Sequence, residues 1–279
     1  MRPFLCIILA SFFGASCSNE KTSTNVQTNQ ADSLKQIFAP ILKGTWVLTN
    51  YMNAIAQTKS PLKSAEKLQG FVALHINDAN QSDSMAVDAS LNNHEGFAFV
   101  VYFQAGQNSA CVKTNLIDND DKSAFYELGY EIVDGSAFLF LYHYNKSNAL
   151  LDKTQFSKVA DKQIANNPSA GLQYMVNEKI FSGNYLLIDT KNSSQKISLK
   201  SDGTLSGHTT FTTYSVTTDF LGDPEPGFDE IVLNPQTINA TSFAFKRAND
   251  SIYLYNTIGN EATGEPLKQG KIQYTLVRQ

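Results

Sequence analysis

The chain has 279 residues, 42% hydrophobic and only 17% charged, with a formal net charge of -4. A charged fraction below the usual ~25%, with Asn, Ser and Thr supplying the polarity, favours a β-rich fold over long surface helices, and the acidic balance argues against a nucleic-acid protein. No run of ~18 apolar residues follows residue 20, so no mature transmembrane helix is expected, and the length admits one large domain or two ordinary ones.

In chain order, Arg2 is a minimal positive start, Phe4 to Phe13 is an apolar run, and Gly14-Ala15-Ser16 is a run of small residues. That is the pattern of a secretory signal over residues 1–16. The small run ends at Cys17 and resembles a bacterial lipobox, although Gly14 stands where that pattern usually has a large aliphatic residue. The resemblance implies lipidation of Cys17 with a palmitate-type chain. The membrane would then be a partner through an N-terminal lipid. The implied location is an outer-membrane lipoprotein facing the periplasm or the cell surface. Ser18 to Gln30 has one aliphatic residue and no aromatic one, so residues 17–32 read as a flexible tether. The Asn-rich stretch with an early acidic residue is similar to lipoproteins of the Bacteroidota group. Of the three cysteines, Cys6 leaves with the signal and Cys17 carries the lipid. Cys111 is left without a disulfide partner, and it reads as a small strand residue rather than a reactive thiol.

Three landmarks occur twice in the same order. Gly44-Thr45-Trp46-Val47-Leu48 parallels Gly183-Asn184-Tyr185-Leu186-Leu187, each after a short helix-like run (Ser33 to Ile41, Ala170 to Ile180). Ala137 to Tyr144 parallels Ser251 to Asn256, and Thr154 to Val159 parallels Ile272 to Val277. Such internal similarity predicts a tandem duplication. The first half holds eight strand candidates: Thr45–Tyr51, Phe71–Ile76, Met85–Leu91, Phe97–Phe103, Cys111–Ile117, Ser123–Ile132, Ala137–Tyr144 and Thr154–Val159. The second half holds Gly183–Asp189, Lys196–Lys200, Leu205–His208, Phe211–Thr217, Glu230–Leu233, Ser242–Arg247, Ser251–Asn256 and Gln273–Val277. Turn formers such as Asn92-Asn93, Asp134-Gly135 and Asp202-Gly203 separate them. The expected fold is all-β: two tandem antiparallel β-barrels with short flanking helices, over residues 33–160 and 170–279, joined by a polar linker at 161–169.

Eight strands opened by Gly-x-Trp resemble the lipocalin and fatty-acid-binding (calycin) superfamily. The matching residues are Gly44 and Trp46, with Gly183 and Tyr185 as a second copy. The resemblance implies that these four close one end of each barrel. It also implies a basic side chain from the last strand lying across the aromatic ring. Lys158 and Arg278 are the candidates, but they do not align with each other. Met52–Gln57 and Leu62–Gln69, broken at Ser60-Pro61, are similar to the helical lid of fatty-acid-binding proteins, here over residues 52–69. An eight-stranded barrel has room for side chains or one small ligand. The implied function is non-catalytic binding of a small apolar, lipid-like ligand. Trp46, His75, Phe99, Tyr102, Phe140, Tyr142 and Tyr185 are the candidate contacts.

Other chemistry is sparse. The four histidines, His75, His94, His143 and His208, lack a metal-ligand spacing, so no metal is assigned. The acidic clusters Asp118 to Asp121 and Asp223 to Glu230 lack an EF-hand pattern and read as solvated turns. The second, with two prolines and Phe228, reads as a stiff projecting loop. No nucleophile elbow, P-loop or dinucleotide fingerprint occurs, so neither an enzyme nor a cofactor is expected. Asp32-Ser33-Leu34, Asp83-Ser84-Met85 and Asp250-Ser251-Ile252 are similar to the O-glycosylation acceptor of Bacteroidota, which implies Ser33, Ser84 and Ser251 as acceptors. Two alternatives stay open: solid barrels serving as an envelope interaction module with unnamed protein partners, and a hydrolase of unknown class.

Overall fold

A computed structural model describes residues 22–78, 83–220, 227–259 and 267–279. The signal segment, Cys17 and residues 223–226 of the proline-containing loop lie outside the described residues.

Strands β1 (Gly44–Leu48), β2 (Phe71–Ile76), β3 (Ser84–Leu91), β4 (Glu95–Ala105), β5 (Cys111–Ile117), β6 (Phe125–Val133), β7 (Ser136–Tyr144) and β8 (Leu150–Ala160) form a closed antiparallel barrel. Each strand pairs with the next, and β8 returns to β1. The hairpins turn on residues that tolerate positive φ: Asn92 (51°) and Asn93 (58°), then Asp134 (50°) and Gly135 (77°). Alternation then sorts the side chains. Trp46, Leu74, Val87, Phe99, Leu128, Leu141 and Phe156 all belong to one buried cluster inside the barrel.

Strands β9 (Gly183–Asp189), β10 (Ser194–Leu199), β11 (Leu205–Ser206), β12 (Tyr214–Val216), β13 (Asp229–Leu233), β14 (Thr241–Ala248), β15 (Ser251–Ile258) and β16 (Lys268–Arg278) follow the same circular order. Here β16 returns to β9 as β8 returns to β1. The expected second barrel is not closed: the sheet runs β11-β10-β9-β16-β15-β14-β13-β12 and stays open between β11 and β12. The edge strands have only two and three residues and pair with β10 and β13, and the isolated bridge Thr204↔Thr213 joins the two edges.

Among the described residues, four α-helices accompany these sheets. Helix α1 spans Thr22–Leu42, so residues 22–32, expected as part of the tether, are helical. Propagation adds one hydrogen bond per residue fixed, which lets a docked helix extend past its apolar part. Helix α2 spans Thr49–Thr58 and α3 spans Pro61–Ser64, followed by a 3-10 turn at Ala65–Lys67. Lys59 breaks them apart in the left-handed conformation, and Ser60 Oγ accepts from Lys63 N at 3.1 Å to cap α3. Helix α4 spans Ala170–Ile180.

The helices fill what the sheets leave open. Phe38 and Leu42 of α1 are fully buried against the barrel end where β1 starts, with Phe38 edge-on to Tyr130 at 5.5 Å. In the second half, Leu172, Met175, Val176 and Ile180 of α4 lie in one cluster with Leu187, Phe245 and Leu254 of the open sheet. The same cluster contains Val47 and Ala73 from the outside of the barrel, and Tyr51 and Ile55 of α2. The segment expected as a lid thus buries its apolar side in a core shared by both halves. Close approach depends on Gly171, where a Cβ would meet Thr45 Cγ2 at 2.4 Å.

Candidate functional site

The residues expected to contact a ligand divide between two faces of the barrel wall. Trp46 and Phe99 point inside, into one buried cluster with Phe38 and Leu42 of α1. His75 pairs with Asp88, and Tyr102 with Ser84, on the opposite face. Phe140 and Tyr142 also face outward, in a separate cluster with Cys111 and Tyr144. A ligand inside the barrel therefore does not meet these four. Tyr185 is buried at the end of the open sheet. Ser84 is buried, which hinders glycosylation, whereas Ser33 and Ser251 are not. Phe228, expected on a projecting loop, is buried as well.

Gly44 and Gly183 stand at the start of the equivalent strands β1 and β9, although the sheet that β9 belongs to is not closed. Gly44 has φ 125° and Gly183 φ 152°. Lys158 pairs with Trp46 and holds its Nζ 4.9 Å from the ring centroid. Arg278 pairs with Tyr185. The two basic residues therefore occupy equivalent places. A register shift at Thr45/Trp46 obscures this when the strand sequences are simply aligned.

Glu127, paired with Tyr142 beside the outer aromatic cluster, is 1% exposed. Its Oε2 accepts from Gln107 N at 2.8 Å, while Oε1 has no partner. Burial raises its pKa, against the opposing pull of that bond. Burial likewise pushes the Cys111 thiol up to about 12, so it is no nucleophile near neutrality. Because the folded pKa of Glu127 is raised, its protonated form is stabilised by folding. That contribution is complete below the unfolded pKa near 4.5 and is lost as pH rises through the folded pKa. Glu127→Gln should therefore gain ~1 kcal/mol at pH 7 and flatten the pH slope, as urea denaturation between pH 4.5 and 8 would read.

At the opposite end of the barrel from α1, both ring nitrogens of His143 face carboxylates. Asp152 Oδ2 is 3.0 Å from Nδ1 and Asp118 Oδ2 is 3.1 Å from Nε2, although only the former has hydrogen-bond geometry. The ring stacks on Tyr126 at 4.3 Å. Asp118 Oδ1 also accepts from Asp120 N and Asp121 N, so its carboxyl stays below the usual range. This group fastens the β5–β6 loop to β8.

A larger space lies between the halves. A cleft of about 570 Å³ is bounded by the β3–β4 turn, the segment 164–169, the start of α4, and residues 201–202 and 215–219 of the second half. The size is that of a small-molecule site. Its walls mix polar and apolar groups: Asn93, Asn167, Gln173, Ser169, Ser215 and Tyr174 supply amides and hydroxyls beside Ile164, Ala165 and Pro168. Both halves build it. Asn93 Nδ2 donates to Thr218 O at 2.9 Å and His94 Nδ1 lies 3.1 Å from Asp219 Oδ2, both across the halves, while within the second half Ser215 Oγ donates to Gln173 Oε1 at 3.3 Å. Buried Asn93 Oδ1 has no partner. Glu95, Asp202 and Asp219 add carboxylates, with Asp202 held below the usual range by Thr204 N–H. No family model, curated protein or solved structure matches this chain. The cleft has therefore to be read from its own chemistry. It offers many neutral hydrogen-bonding groups, several carboxylate acceptors and one tyrosine. No motif announced it, because its residues come from five separate segments; the Asn-, Ser- and Pro-containing stretch at 164–169 was the nearest signal.

Proposed function

We propose that this chain is an exported, non-catalytic binding module, anchored through Cys17, that holds a small neutral polyhydroxylated ligand in the cleft between its halves. The cleft carries this reading: it has ligand size, and both halves contribute its polar lining. Hydroxyl groups donate to carboxylates and pair both ways with amides, while an anionic ligand would be repelled by Glu95, Asp202 and Asp219.

A second reading keeps the apolar ligand in the barrel. It is favoured by Phe97, 38% exposed and edge-on to Phe71 at 5.6 Å.

Trp46 separates the two, being the single tryptophan and lying inside the barrel. Neutral oligosaccharides should give saturation-transfer NMR signals without changing tryptophan fluorescence, and Gln173→Ala should weaken them. A fatty-acyl probe that shifts the fluorescence while no saccharide binds would instead select the barrel. Incorporation of a fatty-acid label in the host should vanish in Cys17→Ala; equal labelling would remove the anchor.

A further inference from the structure

The lining of the cleft between the halves divides by segment. All its apolar side chains, Ile164, Ala165, Pro168, Ala170 and Tyr174, come from the one stretch that leads into α4 and forms its first turns. Its carboxylates, Glu95, Asp202 and Asp219, all come from other segments. A ligand matched to such a lining presents an apolar face to one wall and hydroxyl groups elsewhere.

Helical spacing selects what α4 offers. Ala170, Gln173, Tyr174 and Asn177 recur at intervals of three and four residues, so they share one face, and all four line the cleft. The other face, with Leu172, Met175, Val176 and Ile180, is buried in the core shared by both halves. The two amides of the cleft face are engaged within the protein. Gln173 Nε2 donates to Asn177 Oδ1 at 3.0 Å, and Asn177 Nδ2 donates to Ser201 O at 3.1 Å. Tyr174 differs from them. It is half-buried, and among the described residues its hydroxyl has no hydrogen-bond partner and its ring no aromatic partner.

The wall that carries Tyr174 is fixed in place. Ser169 Oγ meets Ser90 Oγ of β3 at 2.8 Å, and Thr45 Oγ1 of β1 donates to Lys162 O at 2.9 Å. Gly171 brings α4 directly against Thr45. A helix held in this way presents its side chains to a ligand at little ordering cost.

Given the neutral polyhydroxylated ligand proposed above for this cleft, we propose that it is a pyranose saccharide and that Tyr174 selects it, one sugar ring lying flat on the phenol ring. A pyranose with equatorial hydroxyls turns them outward in the plane of its ring and gathers its axial C–H bonds into an apolar face. The face of an aromatic ring is negative and attracts the weakly positive C–H hydrogens. The outward hydroxyls then meet amides and carboxylates, with which they pair as donors and acceptors. An open-chain hexitol carries similar hydroxyls without a fixed apolar face.

Isothermal titration of the full chain with cellotriose, maltotriose and chitotriose, beside sorbitol as the open-chain control, tests this. At least one trisaccharide should saturate a single site, and sorbitol should not. Tyr174→Phe keeps the ring and should bind nearly as the parent does. Tyr174→Leu keeps apolar bulk without the ring and should bind about tenfold more weakly. In saturation-transfer spectra of the parent, the C–H protons of one sugar face should receive most of the saturation, a measurement that needs no variant. Binding weakened by Gln173→Ala but not by Tyr174→Leu would refute the stacking and leave the cleft as the binding site. Sorbitol binding as tightly as the trisaccharides, or saturation spread evenly around the sugar ring, would do the same. If none of the three saccharides saturated the parent, both the stacking and the proposed occupancy of the cleft would fall.

Discussion

Trp46→Ala lowers the unfolding free energy by about 3–5 kcal/mol, the cost of removing a fully buried large aromatic without refilling its space. Trp46 has no exposed surface and touches three structural systems at once. Its indole Nε1 donates to Leu42 O at 2.8 Å, which fixes the last turn of α1 onto the barrel. Its ring carries Lys158, and its backbone sits where β8 returns to β1. The substitution therefore leaves a void, an unpaired carbonyl and an unsupported cation together. Urea denaturation followed by circular dichroism should show a lower midpoint. Trp46→Phe keeps most of the volume and loses the donor, and should fall between the two. If Trp46→Ala cost less than ~1 kcal/mol, its buried contacts with α1 and Lys158 would not be what holds this end of the barrel together.

Gly44→Ala is expected to be nearly as damaging, and the same change in the second copy much less so. At Gly44 a Cβ would stand 2.5 Å from Ala160 O and 3.3 Å from Asp161 Cα, both backbone atoms. The φ of 125° adds strain of ~1–3 kcal/mol for any residue with a side chain. Relief requires β8 to move away from β1, which is the closure itself. At Gly183 the φ is similarly unfavourable, but the Cβ would meet only the Arg278 guanidinium at 3.2 Å. A side-chain tip can swing aside. Thermal unfolding of the two variants beside the parent would rank them, and equal losses would contradict this account.

The fold was legible where local chemistry determines it. Every expected strand has a counterpart, because alternating Val, Phe and Tyr runs stop at Asn-Asn, Asp-Gly and similar pairs. What depends on distant partners was less readable. The opening between β11 and β12 follows from how few residues around Leu205 and Tyr214 can pair, which residue types there do not reveal. Helix α1 was expected as a flank, yet Phe38 and Leu42 make it a plug; only the barrel end opposite them shows why. The cleft was invisible for the same reason. Asn93, Gln173 and Thr218 are ordinary polar residues until the shared core brings them together.

The return of the last strand to the first also affects how the molecule is made. In the barrel, Thr49 Oγ1 meets Ser157 Oγ at 2.9 Å although they are 108 residues apart in sequence. Closing so large a loop costs entropy before any contact rewards it, and topologies of this kind fold slowly. Hairpins such as β6–β7 can form early, since their pairing is local. The seam between β1 and β8 is therefore expected to form after these hairpins. Substitutions at Trp46 or Gly44, both at that seam, are expected to slow refolding as well as to lower stability, which stopped-flow refolding beside the parent would read.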